Sequence, residues 1–349
     1  NPERIGGAER QQWLLARALV KAGWAVTVGV REGLQFQERQ EIEGVRFVGI
    51  GAGQFLWSCY RFLLSERPDW WYWRAADHLW GPAVEIAKIA GVRTIFAAAF
   101  DTDVEPRRAS FRRKKWWPLF AWGLYRTDRI FVQHHGQFDR LTPLLQKKAS
   151  VIPSFAGELQ SGSPHADRKG YIAWVGTLRR PKRADLLIEI AKRLPEMPFI
   201  VCGGISTFQV TEEYGRQIVG ALMELPNVTY LGKVKPGKTG KIIAEANLFL
   251  STADGEGFPN TFLEAWGSGT PVISLTIDPD KVIQRKGIGV VTNDLEQLVR
   301  EIRGLMSSPA LRDEIGARAK QHVYSFHSEL AVMEIFKSVI ENISTVSRS

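Results

Sequence analysis

The sequence predicts an α/β protein with two parallel sheets, each covered by helices. Short apolar runs typical of buried strands alternate with amphipathic helical stretches in both halves of the chain. The chain has 349 residues, a length that suits two domains. Its composition, 44% hydrophobic and 24% charged, is that of a packed globular protein.

The first half contains five predicted strands and two clear helices. The strands are expected at Ala25–Val30, Val45–Gly49, Trp70–Trp73, Thr94–Ala98 and Arg129–Gln133, and the helices at Ala8–Ala22 and Gly81–Ala90. A glycine turn leads straight into the first helix. Because such a turn ordinarily follows a strand, the first strand of this half is expected upstream of Asn1.

The second half repeats the alternation. Its strands are expected at Tyr171–Val175, Phe199–Cys202, Thr229–Leu231, Leu248–Ser251, Pro271–Ser274 and Gly289–Val291, with a helix at Arg183–Leu194. Residues 153–170 are rich in Ser, Gly and Pro without an apolar period, which predicts a linker. We therefore expect a first domain at residues 1–152 and a second at 153–325. An amphipathic pattern over Phe326–Ser344 predicts a separate C-terminal helix within residues 326–349.

Charge and cysteine content narrow the class of protein. Lys and Arg number 46 against 37 Asp and Glu, and residues 104–150 alone hold 11 basic and 3 acidic side chains. A basic patch of this kind favours an anionic partner. Two cysteines cannot make a disulfide framework, which favours a reducing, cytoplasmic location. No apolar run approaches 18 residues and no leader is visible, so we expect no membrane-spanning helix.

The strongest motif follows the predicted strand Leu248–Ser251. Residues 254–271 read DGEGFPNTFLEAWGSGTP, with a proline suited to a helix start and Gly269 suited to its end. The N–H groups at such a start attract anions, and the helix dipole adds to this. Glu256 and Glu264 flank that start, and carboxylates accept hydrogen bonds from sugar hydroxyls. The segment therefore predicts a site for a phosphate beside a sugar.

This segment resembles the E-x(7)-E signature of the retaining glycosyltransferases of family 4, the glycosyl transferases group 1. The likeness extends to Gly6–Glu9 (GGAE), to Val175–Lys182 (VGTLRRPK) and to Val201–Gly204 (VCGG). It covers most of the chain, strongly in residues 171–275 and weakly in 30–150. It implies the GT-B fold, in which two Rossmann-like domains face each other across a cleft and the C-terminal helix crosses back to the first domain.

The resemblance also implies roles for single residues of the second half. Glu264 would hold the ribose of a nucleoside diphosphate sugar, and Glu256 would contact the donor sugar. Lys182, with Arg179 or Arg180, would neutralise the departing diphosphate. The family often has arginine directly after the glycine, where this chain has Thr177. Backbone amides of one segment would reach the sugar and phosphate, and this segment comprises Gly257, Phe258, Pro259, Asn260 and Thr261.

In the first half, Gly6 and Gly7 would let the N-terminal loop approach the diphosphate, since glycine alone tolerates such close contact. Asp101-Thr102-Asp103 follows a predicted strand at a place where relatives carry a histidine near the reacting sugar. Asp101 or Asp103 is therefore expected on the acceptor side, with a plain loop role or a metal site as alternatives. Because the basic residues can neutralise the diphosphate, no metal and no cofactor are expected.

Three histidines lie at sheet edges where α/β proteins bind ligands. His78 is expected either in a ligand cleft or as an ordinary loop residue. His134 and His135 follow the predicted strand Arg129–Gln133 and are open to the same two interpretations.

Residues Arg107–Trp122 interleave basic and aromatic side chains, a pattern suited to an anionic bilayer surface. A solvated basic turn before a buried aromatic helix is the alternative. The membrane reading predicts a peripheral protein on the cytoplasmic face of a membrane.

The function expected from these observations is retaining transfer of a sugar, from a UDP- or GDP-linked donor, to a glycan or lipid-linked acceptor. Three other classes stay open. Another GT-B enzyme, such as an epimerase or a phosphorylase, would need acid–base residues or a pyridoxal lysine that we do not find. A nicotinamide oxidoreductase would need the motif G-x-G-x-x-G after a first strand, and we do not find this motif. A nucleic-acid-binding protein is compatible with charge alone, but no recognition motif accompanies it, so no nucleic acid is expected.

Overall fold

The computed structural model describes residues 6–51, 53–109, 114–205, 211–235 and 237–346. These fall into two compact units. The first contains the described residues up to Phe155 together with the helix that begins at Glu329, and the second is Ala156–Ser328. Residues 1–5, 52, 110–113, 206–210, 236 and 347–349 lie outside the description.

The first unit contains seven strands and seven helices among its described residues. The strands are β1 (Thr27–Val30), β2 (Arg39–Ile42), β3 (Val45–Gly49), β4 (Trp70–Arg74), β5 (Arg93–Ala97), β6 (Arg129–Val132) and β7 (Ala149–Val151). The helices are α1 (Gly7–Lys21), α2 (Phe55–Glu66), α3 (Trp80–Ile89), α4 (Trp117–Arg126), α5 (His135–Asp139), α6 (Pro143–Gln146) and the C-terminal α14 (Glu329–Val346).

Two sheets organise this unit. β1 pairs in parallel with β3, and β2 adds an antiparallel edge. The parallel sheet β4-β5-β6-β7 is the larger. Successive residues of a strand face opposite sides of the sheet. Trp71 and Trp73 of β4 therefore pack against Trp80 of α3 with Phe96 and Phe120, while Tyr72 joins the other core, against α1 and α14.

The second unit has a six-stranded sheet in the order β10-β9-β8-β11-β12-β13, with every pair parallel. The strands are β8 (Ile172–Val175), β9 (Phe199–Cys202), β10 (Val228–Gly232), β11 (Leu248–Ser251), β12 (Val272–Ser274) and β13 (Gly289–Val291). The helices are α7 (Ala184–Arg193), α8 (Glu212–Met223), α9 (Lys238–Glu245), α10 (Asn260–Ser268), α11 (Val282–Lys286), α12 (Leu295–Ser307) and α13 (Pro309–His327).

Two hydrophobic cores cover the faces of this sheet. One contains residues of α7, α8 and α12, and the other contains residues of α9, α10, α11 and α13. β11 lies between β8 and β12 and all four of its residues are buried. The residues that follow β8 and β11 therefore emerge at the same edge of the sheet, because parallel strands end together.

The strands predicted from the sequence are present in the structure with ends that differ by at most two residues. Two further strands, β2 and β7, were not predicted because neither shows a recognisable apolar alternation. All four residues of β2 are exposed, and β7 has only three residues. The predicted linker 153–170 is packed rather than free. His165 is buried, and Arg168 donates to the carbonyl oxygens of Ala246 and Ser268. The compact units change at residues 155/156 and 328/329.

A buried histidine, His165, and a half-buried one, His322, make the second unit sensitive to acid. Burial lowers the pKa of His165 and of His322 to about 4, below the ordinary 6.5. Between those values the unfolded chain binds protons that the folded chain does not, so stability is present above pH 6.5 and is lost as the pH falls. From pH 7 to pH 5 we expect a loss of about 1–2 kcal/mol for each histidine.

Thermal unfolding at pH 7, 6 and 5 measures this loss. His322→Phe should remove its own share of the pH dependence, while His135→Gln, an exposed position, should leave it unchanged. If His322→Phe keeps the pH dependence of the wild-type protein, the assignment to His322 is wrong.

Candidate active site

Hydrogen bonds lock together two loops at the carboxyl edge of the second sheet. The hydroxyl of Thr252, just after β11, donates to the carbonyl of Lys182 at 2.8 Å and accepts from the indole N–H of Trp174 at 3.0 Å. The amide of Asp254 donates to the carbonyl of Pro181 at 3.0 Å. The loop after β8 and the loop after β11 therefore form one rigid edge.

An ion pair joins the same two loops. Nζ of Lys182 contacts Oε1 of Glu256, and these side chains are 17% and 12% exposed. Arg183, with a left-handed backbone (φ 50°), adds a second link through its 3.6 Å contact with Asp254. The arrangement holds a cation and a carboxylate side by side, where a ligand with phosphates and hydroxyls can engage both.

α10 begins beside this pair. Pro259 is its N-cap and supplies no side-chain hydrogen bond, so the first-turn N–H groups are not capped by it. The dipole of this helix adds partial positive charge at the same end. Glu264 lies one turn further along and is 9% exposed, with Leu263 and Ala265 buried on either side. Gly269, with φ 75°, ends the helix.

The two arginines of this edge are placed differently. Arg179 is half-buried, whereas Arg180 is exposed and its guanidinium lies 5.6 Å from the ring centre of Tyr214 in α8. Gly203, after β9, lies close to the backbone of the loop after β8, since a Cβ on it would overlap the carbonyl oxygen of Gly176. The loops after β8 and β9 can come together only with glycine at this position.

The structure thus brings together the site residues predicted in the second half. Those at this edge are Arg179, Arg180, Lys182, Glu256, Gly257, Phe258, Pro259, Asn260, Thr261 and Glu264. Sequence reasoning missed the positioning residues Thr252, Asp254 and Arg183. A left-handed arginine before a helix carries no sequence signal, because the strain is visible only in the backbone.

Gly6 and Gly7 lie in the first unit, where Gly6 is the extended N-cap of α1 and Gly7 its first residue. A Cβ on Gly6 would stand 2.6 Å from Oε2 of Glu9. The carboxylate of Glu9 therefore lies over the start of its own helix, a favourable place for negative charge.

Asp101 and Asp103 have different surroundings. Oδ1 of Asp101 lies 2.9 Å from Nε2 of His134, and Oδ2 lies 3.3 Å from Arg140. Asp103 is 2% exposed and accepts from the amides of Ala99 and Phe100 at 2.8 and 3.0 Å, and burial raises its pKa. Asp103 thus holds the loop after β5 rather than lining a surface. Within the described parts of the chain no three metal-ligating side chains cluster.

His78 contacts the carboxylate of Asp77 through Nδ1 at 3.0 Å. His134 is buried against Asp101, and His135 is exposed. His134 and Asp101 form a hydrogen-bonded pair after β6 and β5, which places one imidazole and one carboxylate at the carboxyl edge of the first unit's larger sheet.

Part of the basic-aromatic segment is described, while Ser110–Arg113 lie outside the described residues. The guanidinium of Arg107 lies 4.9 Å from the ring centre of Trp117, and Nζ of Lys115 lies 5.8 Å from that of Trp116. Trp116, Trp122 and Tyr125 are 41%, 44% and 45% exposed, whereas Phe120 and Leu124 are buried. No helix in the described ranges is both long enough and apolar enough to cross a membrane.

Residues 169–308 match the family model Glycosyl transferases group 1. The matched residues lie within the second unit. This confirms the group 1 resemblance found in the sequence, and structural comparison confirms the GT-B fold. The structure aligns with sucrose-phosphate synthase from Thermosynechococcus elongatus with a TM-score of 0.78, over 98% of this chain and 94% of that one, at 16% identity. It also aligns with Anabaena HepE in complex with UDP-glucose, with a TM-score of 0.75, over 98% of this chain and 97% of that one, at 13% identity.

The chain is also similar in sequence to curated proteins named as a synthase and as a glycosyltransferase. The alpha-galactosylglucosyldiacylglycerol synthase of Streptococcus pneumoniae is 28% identical over 66% of this chain and 59% of its own length. The D-inositol 3-phosphate glycosyltransferase of Mycolicibacterium paratuberculosis is 26% identical over 52% of this chain and 43% of its own length. The chain thus matches about half the length of these relatives.

Proposed function

We propose that this protein transfers a sugar from a nucleoside diphosphate donor, UDP- or GDP-linked, to a glycan or lipid-linked acceptor, with retention at the anomeric carbon. The observation that carries the proposal is the Lys182–Glu256 pair beside the start of α10, whose N-cap, Pro259, supplies no side-chain hydrogen bond. The group 1 match and a relative named as a glycosyltransferase support the reaction class. A structural neighbour in complex with UDP-glucose supports the choice of donor.

The proposed chemistry follows from where charge develops. As the bond from the anomeric carbon to the diphosphate breaks, negative charge grows on the phosphate oxygen and positive charge on the sugar. Lys182, Arg179 and the first-turn N–H groups of α10 are preorganised for that negative charge. The acceptor hydroxyl attacks from the face the diphosphate leaves, and its proton passes to the departing phosphate oxygen. Retention follows without a covalent intermediate and without a required metal.

Glu256 has a different part in this scheme. On donor binding, its carboxylate exchanges Lys182 for a sugar hydroxyl, and Lys182 is released to the diphosphate. Glu264 accepts hydrogen bonds from the vicinal hydroxyls of the ribose. Each group of the donor thus finds a partner that is already held in place by the two loops.

Release of nucleoside diphosphate from a panel of UDP-, GDP-, ADP- and dTDP-sugars tests the proposal. We expect one donor to be hydrolysed slowly, and equally with and without EDTA. With a competent acceptor, NMR should show the product with the donor's own anomeric configuration. An inverted product would contradict the mechanism, and epimerised donor without diphosphate release would contradict the reaction class.

We further propose that the protein docks on an anionic membrane surface through Arg107–Trp122. The described part of that segment combines cations with half-exposed tryptophans. Cations attract anionic headgroups, and tryptophans lie at the membrane–water interface, so both suit a surface that binds a bilayer. The acceptor would then be presented at the bilayer surface.

Sedimentation with vesicles checks this docking. Arg107→Glu combined with Lys115→Glu should reduce binding to phosphatidylglycerol vesicles by about tenfold or more, because each reversal opposes an attraction of about 1 kcal/mol per charge. Lys192→Glu with Lys241→Glu makes the same change in net charge at exposed positions of the second unit and should bind as the wild type does. Equal sedimentation of both double variants would exclude this surface.

A further inference from the structure

A pocket in the first unit opens at the carboxyl edge of its larger sheet. Its polar lining comes from Tyr72 and Arg74 of β4, Gln133 after β6, Ser154 after β7 and Gln11 of α1. Apolar side chains, among them Leu15 and Phe336, close its other side. Ligands of parallel sheets bind at such edges, and a few convergent polar groups in an apolar surround are typical of a ligand site.

Arg74 is the charged group of this pocket. Its Nη1 donates to the hydroxyl of Tyr72 at 3.1 Å. Its Nε is buried and has no hydrogen-bond partner among the residues that the structure describes. A buried N–H of a cation without an acceptor is unfavourable, and such groups usually have a partner. The missing partner is an acceptor of hydrogen bonds.

The backbone beside Arg74 is strained. Ala75 adopts φ 71°, a left-handed conformation that is unfavourable for a non-glycine residue. Two hydrogen bonds hold it there, from the amide of Ala75 to the carbonyl of Ala97 at 3.0 Å and from the indole N–H of Trp73 to the carbonyl of Ala75 at 3.1 Å. Strain held in this way fixes the end of β4, from which Arg74 extends.

Arg74 is not accounted for by an internal ion pair. The positive charge of Arg74 acts at a distance on the buried carboxylate of Asp103. It lowers the pKa of Asp103, against the stronger effect of burial, which raises it. The carboxylate of Asp103 already accepts from the amides of Ala99 and Phe100. No carboxylate within the described ranges lies at ion-pairing distance from Arg74.

We propose that Arg74 binds an anionic group, a carboxylate or a phosphate, carried by the acceptor. This rests on the proposed function and specifies its acceptor class. The guanidinium can donate two parallel N–H hydrogen bonds to two oxygens of either group, and the Nε–H is one of these donors. The hydroxyl of Tyr72 accepts a hydrogen bond from Nη1 and so orients the guanidinium. Neutral acceptors of the same shape would leave the buried Nε unpaired and bind more weakly.

Side-chain NMR of the ¹⁵N-arginine-labelled protein tests this directly. The Nε resonance of Arg74 is assigned by its loss in Arg74→Lys. Titration with glucuronate, glucose 6-phosphate and neutral glucose separates a carboxylate from a phosphate preference. We expect one of the two anions to shift the Arg74 resonance and to bind at least tenfold more tightly than glucose.

Variants separate recognition from folding. Arg74→Gln should lose at least tenfold in affinity for that anion, and Tyr72→Phe, which keeps the ring, about threefold. Arg129→Gln removes the same charge from the first residue of β6, at the opposite edge of the sheet, and should bind the anion as the wild type does. If Arg74→Gln fails to fold, Tyr72→Phe still decides, because loss of one hydroxyl leaves the core intact.

The same spectra keep this inference distinct from the proposed function. A nucleoside diphosphate should shift the resonance of Arg179 whether or not Arg74 binds an anion. If Arg179 responds to the diphosphate while Arg74 responds to neither anion, the anion pocket is overturned and the donor site stands. If Arg74 responds and Arg179 does not, the donor site fails instead, and the Arg74 pocket is an anion site of another reaction.

Discussion

Lys182→Ala is expected to lower the rate of glycosyl transfer by about 10²–10³-fold, with a smaller effect on donor affinity. The side chain meets charge that develops fully only as the diphosphate departs, and removal of one such donor typically costs about that factor. The variant also leaves Glu256, 12% exposed, without its cation. A half-buried carboxylate that loses its partner destabilises the fold.

These two consequences can be separated. The double variant Lys182→Ala/Glu256→Gln should recover the thermal stability lost in Lys182→Ala, but not the activity. Lys192→Ala, on the exposed side of α7, is the matched control and should change neither. Activity of Lys182→Ala within threefold of wild type would contradict the role of Lys182.

Glu264→Ala is expected to weaken binding of the nucleoside diphosphate by about 10–100-fold. The buried carboxylate would accept charge-assisted hydrogen bonds from two ribose hydroxyls, which contribute about 1.5–3 kcal/mol. Glu264→Gln keeps the shape of the side chain and one acceptor oxygen, so a smaller loss is expected. Calorimetric titration measures both.

A modified ligand isolates the ribose contact. Wild type should bind the diphosphate more tightly than its 2′-deoxy analogue, and Glu264→Ala should bind the two alike. Glu212→Gln, an exposed change on α8, should keep the wild-type preference. If Glu264→Ala still discriminates between the two ligands, Glu264 does not hold the ribose.

Much of the second unit was predictable from the sequence. β11 is a run of buried apolar residues, and a glycine turn and a proline precede the helix α10. These local signals fix both the strand and the loop that follows it. Glu256 and Lys182 were assigned to one site from separate motifs, but their direct contact depends on the order of strands in the sheet, which the motifs do not encode.

Other features escaped because long-range packing decides them. His165 and Arg168 lie in a segment whose composition suggests a free linker, yet both are anchored to helices far away in sequence. Asp103 is close to Asp101 in sequence but buried, since it accepts amides of the preceding loop. Arg74 is one basic residue at the end of a strand, and its buried Nε becomes visible only in three dimensions.

Calorimetric titration of the wild-type protein with UDP, GDP, ADP and dTDP tests the central claim most directly, namely that the second unit binds a nucleoside diphosphate. We expect one of them, UDP or GDP, to bind with a Kd of about 1–100 µM, equally in the presence of EDTA, and Glu264→Ala to bind it at least tenfold more weakly. No saturable binding of any of the four at millimolar concentration would contradict the account.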